Sequence, residues 1–370
     1  MVIFTKMTVY FYKGVFSQFF KAPIVDKQGV RYICNEQYMM AHKAKLMGDI
    51  RTYKKIMRET KPMQIKKLGR CVQFWNQDKW NQFKYDIVLD ATRYKVQQHP
   101  RLRQMLLETD VQDIAEAAPY DHIWGIGLSI KDAKAGESWR GKNLLGQAWM
   151  QVRSECYPTI IVPFRATNQP ERAVQLVKFK EHMFEKLPLS RIIVVEQYDD
   201  NKPFNRGALL NLGVSETSSS LICLHDVDLL PDDRILKAYL DYMPKKTVRH
   251  IGRAWRRYDS DSYLGGILMM WKKDFINING FPNDFWGWGG EDDLLRDRIQ
   301  DARFRVQRVD FGTIYDLEQM SLKQKMEYLK KYRLKCEDKW ERRDWHRKYP
   351  GKYGYSDIED YRKIGYIQSA

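Results

Sequence analysis

Apolar and polar positions keep two rhythms along this chain, and the change falls near residues 155–158. Before it, short apolar runs separate longer helical stretches. Tyr10–Tyr12 and Val30–Ile33 read as strands. Asn35 reads as the cap of a helix running to Met47, with Gly48 ending it. A second helix is expected from about Trp80 to Val96; His99-Pro100 breaks the pattern and Leu102–Leu107 resumes it. After the change, strands and helices alternate: strand Thr159–Val162, helix Glu171–Phe184, strand Arg191–Val195, helix Gly207–Val214, strand Ser220–Leu224. Such alternation predicts a mainly parallel sheet. The stretch Lys323–Tyr366 is charged and aromatic, helical at first, and reads as a solvated face. There is no internal repeat.

Length supports this division. A chain of 370 residues exceeds one ordinary core, so two domains are expected, residues 1–155 and 156–370. With 44% hydrophobic and 13% aromatic residues it is globular rather than disordered. The net charge of +16 favours anionic partners: nucleotides, phosphates, nucleic acid or a membrane surface. No Lys/Arg run is compact enough to decide for nucleic acid. Five widely spaced cysteines without a CxxC pair argue against a disulfide framework or a zinc site, and for a reducing compartment. The aromatic N-terminal stretch Met1–Phe20 is interrupted by Lys6 and Lys13 and has no cleavage-type signal. No window has the apolar length of a membrane span. A cytoplasmic enzyme without membrane contact is the expectation.

The chemistry concentrates in Phe285-Trp-Gly-Trp-Gly-Gly-Glu-Asp-Asp293. Flat rings beside flexible backbone suit a sugar platform, and adjacent carboxylates suit a base. The same acidic run also suits a helix start, where the macrodipole favours negative charge. Upstream, Asp226-Val-Asp228 follows a buried apolar strand, where ligands bind in open α/β sheets. On an extended segment, residues two apart face the same way, so both carboxylates are expected in one site. One would hold a divalent ion and the other a ribose or sugar hydroxyl. Oxygen ligands favour Mn²⁺ or Mg²⁺.

These motifs join others in one order: Tyr157-Pro-Thr-Ile-Ile-Val-Pro-Phe-Arg165, Phe204-Asn-Arg206, Leu209-Leu-Asn211, Tyr263-Leu-Gly-Gly266 and Asn279-Gly-Phe-Pro282. Over about residues 157–310 the series closely resembles the beta-1,4-galactosyltransferase family, which has a GT-A fold and uses UDP-sugars and Mn²⁺. The resemblance implies that Pro163, Phe164, Arg165 and Arg206 contact the nucleotide. Asp228 would bind the metal and Asp226 would lie near the ribose. Trp288, Gly290 and Glu291 would line the sugar and acceptor site. Asp292 would deprotonate the acceptor hydroxyl, giving inversion. The sequence departs from the family in three ways. Ala166 and Thr167 stand where a second arginine is usual, and the usual Golgi anchor is not expected. No histidine lies between Asp292 and Trp345 to act as the metal ligand; Asp310 or Asp316 is the expected replacement, and His346 is expected on the surface.

In the first half, Glu36, Met40 and Lys43 share one helical face, either as a site wall or as a surface ion pair. Pro119-Tyr-Asp-His-Ile-Trp-Gly-Ile-Gly127 places an acid, a ring and two glycines together; Trp124 either stacks on a base or fills the core. With Asn35–Met40, His42–Ala44, Leu68-Gly-Arg70, Trp80 and Asn143–Gly146, these resemble the NADAR family over about residues 8–153. That family includes N-glycosidases of riboflavin-pathway intermediates and ADP-ribose-linked compounds. By resemblance, Glu36 and Asp121 would stabilise the oxocarbenium character of a breaking ribosyl C–N bond and orient water. Lys43 and Arg70 would meet phosphate. Trp80, Trp124 and Asn143 would shape the pocket, with no metal there.

The expected architecture is an N-terminal α+β NADAR-like domain followed by a C-terminal α/β GT-A nucleotide-sugar fold. The expected protein is a bifunctional enzyme. One half would cleave an N-glycosidic bond in a ribose-phosphate or ADP-ribose-linked metabolite. The other would move a galactose-like sugar from a UDP-sugar to a hydroxyl on a glycan or small molecule. Two other classes stay open: a nucleotide- or ADP-ribose-binding protein with one degenerate domain, and a nucleic-acid-modifying glycosyltransferase. A microbial or viral source is suspected.

Overall fold

The structure, a computed structural model, describes residues 8–368 apart from 168, 259, 319, 333 and 350; the first seven residues of the N-terminal stretch lie outside it. Two units divide the chain, Met1–Ser154 and Glu155–Ala370. Among the described residues no helix is long and apolar enough to cross a membrane.

The first unit runs β1 (Thr8–Phe11), β2 (Ile24–Val25), β3 (Arg31–Tyr32), α1 (Asn35–Leu46), α2 (Ile50–Arg58), α3 (Pro62–Arg70), α4 (Gln77–Gln98), α5 (Pro100–Leu107), β4 (Asp113–Glu116), α6 (Ile130–Lys134) and α7 (Leu144–Glu155). α1 is the central element and contacts α2, α3 and α4. Asn35 is its first helical residue rather than its cap; Cys34 occupies the cap position without a capping side chain. The Glu36 N–H, left without an intrahelical partner, donates instead to the Gln18 carbonyl at 3.0 Å. α1 is enclosed on nearly every side, so polar side chains lie inside it, and Gln37 is satisfied by the backbone of Ile33, Ile56 and Glu59. α3 comes so close that any Cβ at Gly69 would overlap the Met40 sulfur. β1 and β4 pair in parallel with Phe11 opposite Glu116, which sets Glu116 at a strand end.

The second unit runs β5 (Thr159–Phe164), α8 (Pro170–Lys186), β6 (Ile192–Gln197), α9 (Arg206–Ser215), β7 (Leu221–His225), β8 (Leu229–Pro231), α10 (Asp233–Leu240), β9 (Thr247–His250), β10 (Ile267–Trp271), α11 (Lys272–Asn277), α12 (Glu291–Asp301), β11 (Arg305–Arg308), β12 (Ile314–Asp316), α13 (Leu322–Lys331), α14 (Lys339–Lys348) and β13 (Gly365–Ile367). Seven strands form one sheet in the order β11-β9-β10-β7-β5-β6-β13. The expectation of a mainly parallel sheet holds only at β6-β5-β7 and β9-β11; β10 runs antiparallel to both neighbours and β13 antiparallel to β6. Among the described residues, no α-helix lies between β9 and β10 to make a parallel crossover.

The C-terminal stretch is not a solvated face. β13 closes the β6 edge, and Ile358 and Ile364 enter the main core with residues of β5, β6, β7 and α9. Arg343 and Arg347 of α14 bind Asp297 of α12 at 2.7 and 3.1 Å. His346, expected on the surface, is 3% exposed and bonds Asp284 at 2.8 Å.

Candidate functional site

β7 is buried along its whole length and delivers Asp226 at its carboxyl end. The Asp226–Asp228 segment turns rather than continuing as strand, so its two carboxylates go to different cations. Asp226 accepts from Arg206 Nε at 2.8 Å, and Asp228 accepts from Arg172 at 2.9 Å. The expectation of one shared face on an extended segment is corrected by this turn.

Arg206 is the charge centre of the first cluster. It opens α9, whose cap is the Asn205 side chain accepting from Ala208 N. Buried Asn205 and Asn211 both bond Asn283, tying this helix start to the segment that leads into the Trp-Gly-Trp-Gly-Gly run. Its Nη1 reaches Asp292 at 2.9 Å and Glu291 at 3.8 Å. The sequence places Arg206 on a nucleotide; the structure engages its guanidinium with acidic side chains. Glu291 and Asp292 stand in the first turn of α12, so the acidic helix start and the acidic cluster are one feature. A Cβ at Gly265 would overlap the Asp292 carboxylate, so glycine is what leaves room there. Burial pushes Asp292 up to about 8; Arg206 opposes this, while Glu291 and Asp226 reinforce it. Its side chain still keeps 27% exposure, enough to be reached from solvent.

The second cluster surrounds Asp228. β12 pairs with β8, setting Asp316 opposite Leu229, and Leu317 N donates to the Asp228 carbonyl at 2.8 Å. Ligand oxygens of Asp228, Asp316 and Glu318 thereby lie within 4.8 Å of one another. Burial raises Asp228, but the guanidinium of Arg172 and the Lys325 ammonium outweigh it, leaving the carboxyl below its ordinary value. An all-carboxylate set of this kind fits a hard divalent cation. Asp316 is one of the two residues expected to replace the missing histidine. Asp310 is not part of the cluster; its exposed side chain lies 3.7 Å from Arg253. Glu318 was missed, although Asp316-x-Glu318 repeats the i, i+2 spacing of Asp226-x-Asp228.

Pro163 and Phe164 end β5, pair with Val195 and Glu196 of β6 and are buried; Arg165 donates to the Lys202 carbonyl at 2.7 Å and lies over the Phe204 ring. Trp288 is held by backbone bonds to Leu334 and Cys336 and borders a cavity of about 360 Å³ with Lys330, Lys335, Lys339 and Trp340. Gly290 has φ +102, and a Cβ there would meet the Phe285 ring and Lys339, so its place is a backbone requirement.

In the first unit, Glu36 is 3% exposed and its Oε1 has no hydrogen-bond partner. That removes the surface-ion-pair reading. Burial pushes it up to about 7, against the pull of Lys66 and with repulsion from Asp121. Glu116, missed on sequence, is raised to about 7 by burial, Asp121 and Glu36. Lys66 was missed too, and lies electrostatically close to both glutamates. Lys43 and exposed Arg70 also pull Glu36 down. The Lys43 ammonium sits 4.3 Å from the centre of Trp75, another missed residue, and 5.7 Å from that of Trp80. Asp121 accepts from Ile123 N and Trp124 N, pinning its own loop. Trp124 is half-buried. Asn143, expected to shape the pocket, is buried; its amide donates to the Ile114 carbonyl and accepts from Glu116 N, which fixes β4.

Known families match both units. A profile of the NADAR domain covers residues 6–156. Profiles for the N-terminal region of glycosyl transferase group 7 and the N-terminal domain of galactosyltransferase cover residues 147–239 and 247–321. The chain joins a NADAR domain to a group 7 galactosyltransferase domain. N-glycosidase R617 of Acanthamoeba polyphaga mimivirus is 45% identical over 147 residues, covering 38% of this chain and 86% of the relative. Beta-1,4-galactosyltransferase 7 of Mus musculus is 40% identical over 157 residues, covering 40% of this chain. The chain spans about half (45%) the length of that galactosyltransferase. A solved Drosophila beta-1,4-galactosyltransferase 7 mutant, complexed with manganese, UDP-Gal and xylobiose, is 27% identical, covers 57% of this chain and 91% of its own, and has a TM-score of 0.44. The E. coli protein YbiA is 27% identical, covers 41% and 86% respectively, and has a TM-score of 0.35. The family profiles and the strand topology make the fold two-domain, NADAR-like and then GT-A-like with a mixed sheet.

Proposed function

We propose that the second unit transfers a galactose-like sugar from a UDP-sugar to a hydroxyl acceptor with inversion, and that the first hydrolyses an N-glycosidic bond in a ribose-phosphate or ADP-ribose-linked substrate. The observation that carries the transferase reading is the pair of clusters at the end of β7: a solvent-reachable Asp292 on Arg206, and the carboxylates of Asp228, Asp316 and Glu318 nearby. Asp292 takes the proton of the acceptor hydroxyl as that oxygen attacks the anomeric carbon. Arg206 holds Asp292 and Asp226 in place, and Trp288 offers a flat face to the acceptor. Asp228, Asp316 and Glu318 would hold Mn²⁺ or Mg²⁺, which when bound neutralises charge on the leaving diphosphate.

In the first unit, buried Glu36 with its free Oε1 stabilises positive charge at the ribosyl carbon. Glu116 and Asp121 reinforce the negative potential, and one of these carboxylates orients water. Lys43 and Arg70 suit a phosphate, and Trp80 with Trp124 suits a planar base.

Incubation of the full chain with a panel of UDP-sugars tests the transferase reading. Release of UDP that needs Mn²⁺ or Mg²⁺ and is stimulated by an acceptor supports it; inertness across the panel rejects it. For the first unit, ribose-phosphate release from a ribosylamino-pyrimidine or an ADP-ribosylated base should be abolished in Glu36→Gln; unchanged release rejects that site.

A further inference from the structure

The three carboxylates that fit a divalent cation are already engaged by three basic side chains from three parts of the second unit. Arg172 of α8 holds Asp228 at 2.9 Å. Arg257 holds Asp316 at 2.8 Å and Glu318 at 2.9 Å through the same nitrogen. Lys325 of α13 holds Glu318 at 2.9 Å. Three negative charges thus face three positive ones. A divalent ion on these oxygens would compete with the basic groups for their lone pairs and sit beside them at like charge. The side chains of Arg257 and Lys325 are only 10% and 14% exposed, so water offers them little compensation if they lose their acceptors.

Arg257 is also built for a second acceptor. Its Nη2 donates to the Met320 carbonyl at 2.7 Å and its Nη1 serves the carboxylates, while its buried Nε–H has no acceptor. Guanidinium groups recognise phosphate oxygens through paired N–H donors. A nucleoside diphosphate would bring oxygen acceptors and negative charge to the place where a cation displaces Arg257, Lys325 and Arg172.

We propose that Arg257, Lys325 and Arg172 exchange partners on ligand binding, leaving Asp316, Glu318 and Asp228 to the metal and moving to the diphosphate. The metal and the nucleotide then bind as one unit, each weakly alone and tightly together. By reciprocity the gain is equal for both ligands. This inference rests on the transferase reading above.

The test is Mn²⁺ binding to the full chain, followed by the electron paramagnetic resonance signal of free Mn²⁺. It is run with and without UDP, and corrected for Mn²⁺–UDP complexation measured without protein. Wild type should bind Mn²⁺ at least ten-fold more tightly with saturating UDP. In Arg257→Met combined with Lys325→Met, Mn²⁺ alone should bind at least ten-fold more tightly than to wild type, and the gain from UDP should shrink. Arg257→Lys, which keeps the charge, should retain most of the wild-type gain. Thermal melts of each variant separate this effect from misfolding. If wild type binds Mn²⁺ equally well with and without UDP, or the neutral variants leave Mn²⁺ affinity unchanged, the exchange is wrong while the transferase reading stands. If neither ligand binds even with the other present, both fail.

Discussion

Glu36→Gln should stabilise the first unit while removing its activity. The structure buries Glu36 at the start of the central helix α1 and moves its ionisation from 4.5 to about 7, chiefly by burial. Between these two values the folded chain keeps a proton that the unfolded chain has released. Stability therefore falls as pH rises through this window, and the full penalty stands above it. At pH 8 that penalty is about 3 kcal/mol; at pH 4 it is essentially absent. A glutamine fits the same space without a charge to desolvate. The assay is amide hydrogen exchange of the α1 peptides in the full chain, comparing wild type and variant at one pH so that intrinsic rates cancel. At pH 8 the variant should be on the order of 100-fold better protected, and at pH 4 the two should match. Poorer protection of the variant at pH 8 would show that the ionised Glu36 carboxylate is well satisfied in the fold, and would refute the argument from burial.

Three further outcomes follow from the geometry. Gly69→Ala should destabilise the first unit by about 1–3 kcal/mol, because the new Cβ overlaps Met40; adding Met40→Ala should recover part of the lost urea midpoint. Arg343→Ala should cost about 1–2 kcal/mol, because Asp297 loses its bidentate partner but keeps Arg347, and adding Asp297→Asn should recover much of that. The transferase rate should fall as pH drops below about 8, because Asp292 must be ionised to accept a proton and burial holds its value there; a rate flat from pH 6 to 9 would remove Asp292 as the base.

The sequence made some of this legible and hid the rest for physical reasons. β5, β6 and β7 are short apolar runs with charged residues beyond their ends, so their place in a buried sheet could be read directly, as could Asp226 at the β7 terminus. β9 could not. Thr247-Val-Arg-His250 looks like surface, yet Arg249 is 2% exposed, with its guanidinium bonded to the carbonyls of Asp241 and Tyr242. Patterning reads polarity, not the partners that make a buried charge tolerable. The same limit hid α14: its basic residues resemble solvated ones until Asp297 is brought beneath them. Glu116 and Lys66 carry no local signal, and Glu318 only its i, i+2 spacing from Asp316. The β8–β12 pairing brings Glu318 to Asp228, and β4 and α3 bring Glu116 and Lys66 near Glu36. Asn143, beside a site motif, bonds the backbone of β4, a link with no sign in the sequence.

The central claim is that Asp292, beside the Asp228, Asp316 and Glu318 carboxylates, performs sugar transfer. Its most direct test is the turnover of UDP-galactose and an acceptor with Mn²⁺ by the full chain and by Asp292→Asn, with UDP binding measured alongside. The account predicts that the variant binds UDP within a few-fold of wild type and turns over at least about 100-fold more slowly. Equal turnover by the two proteins would contradict it.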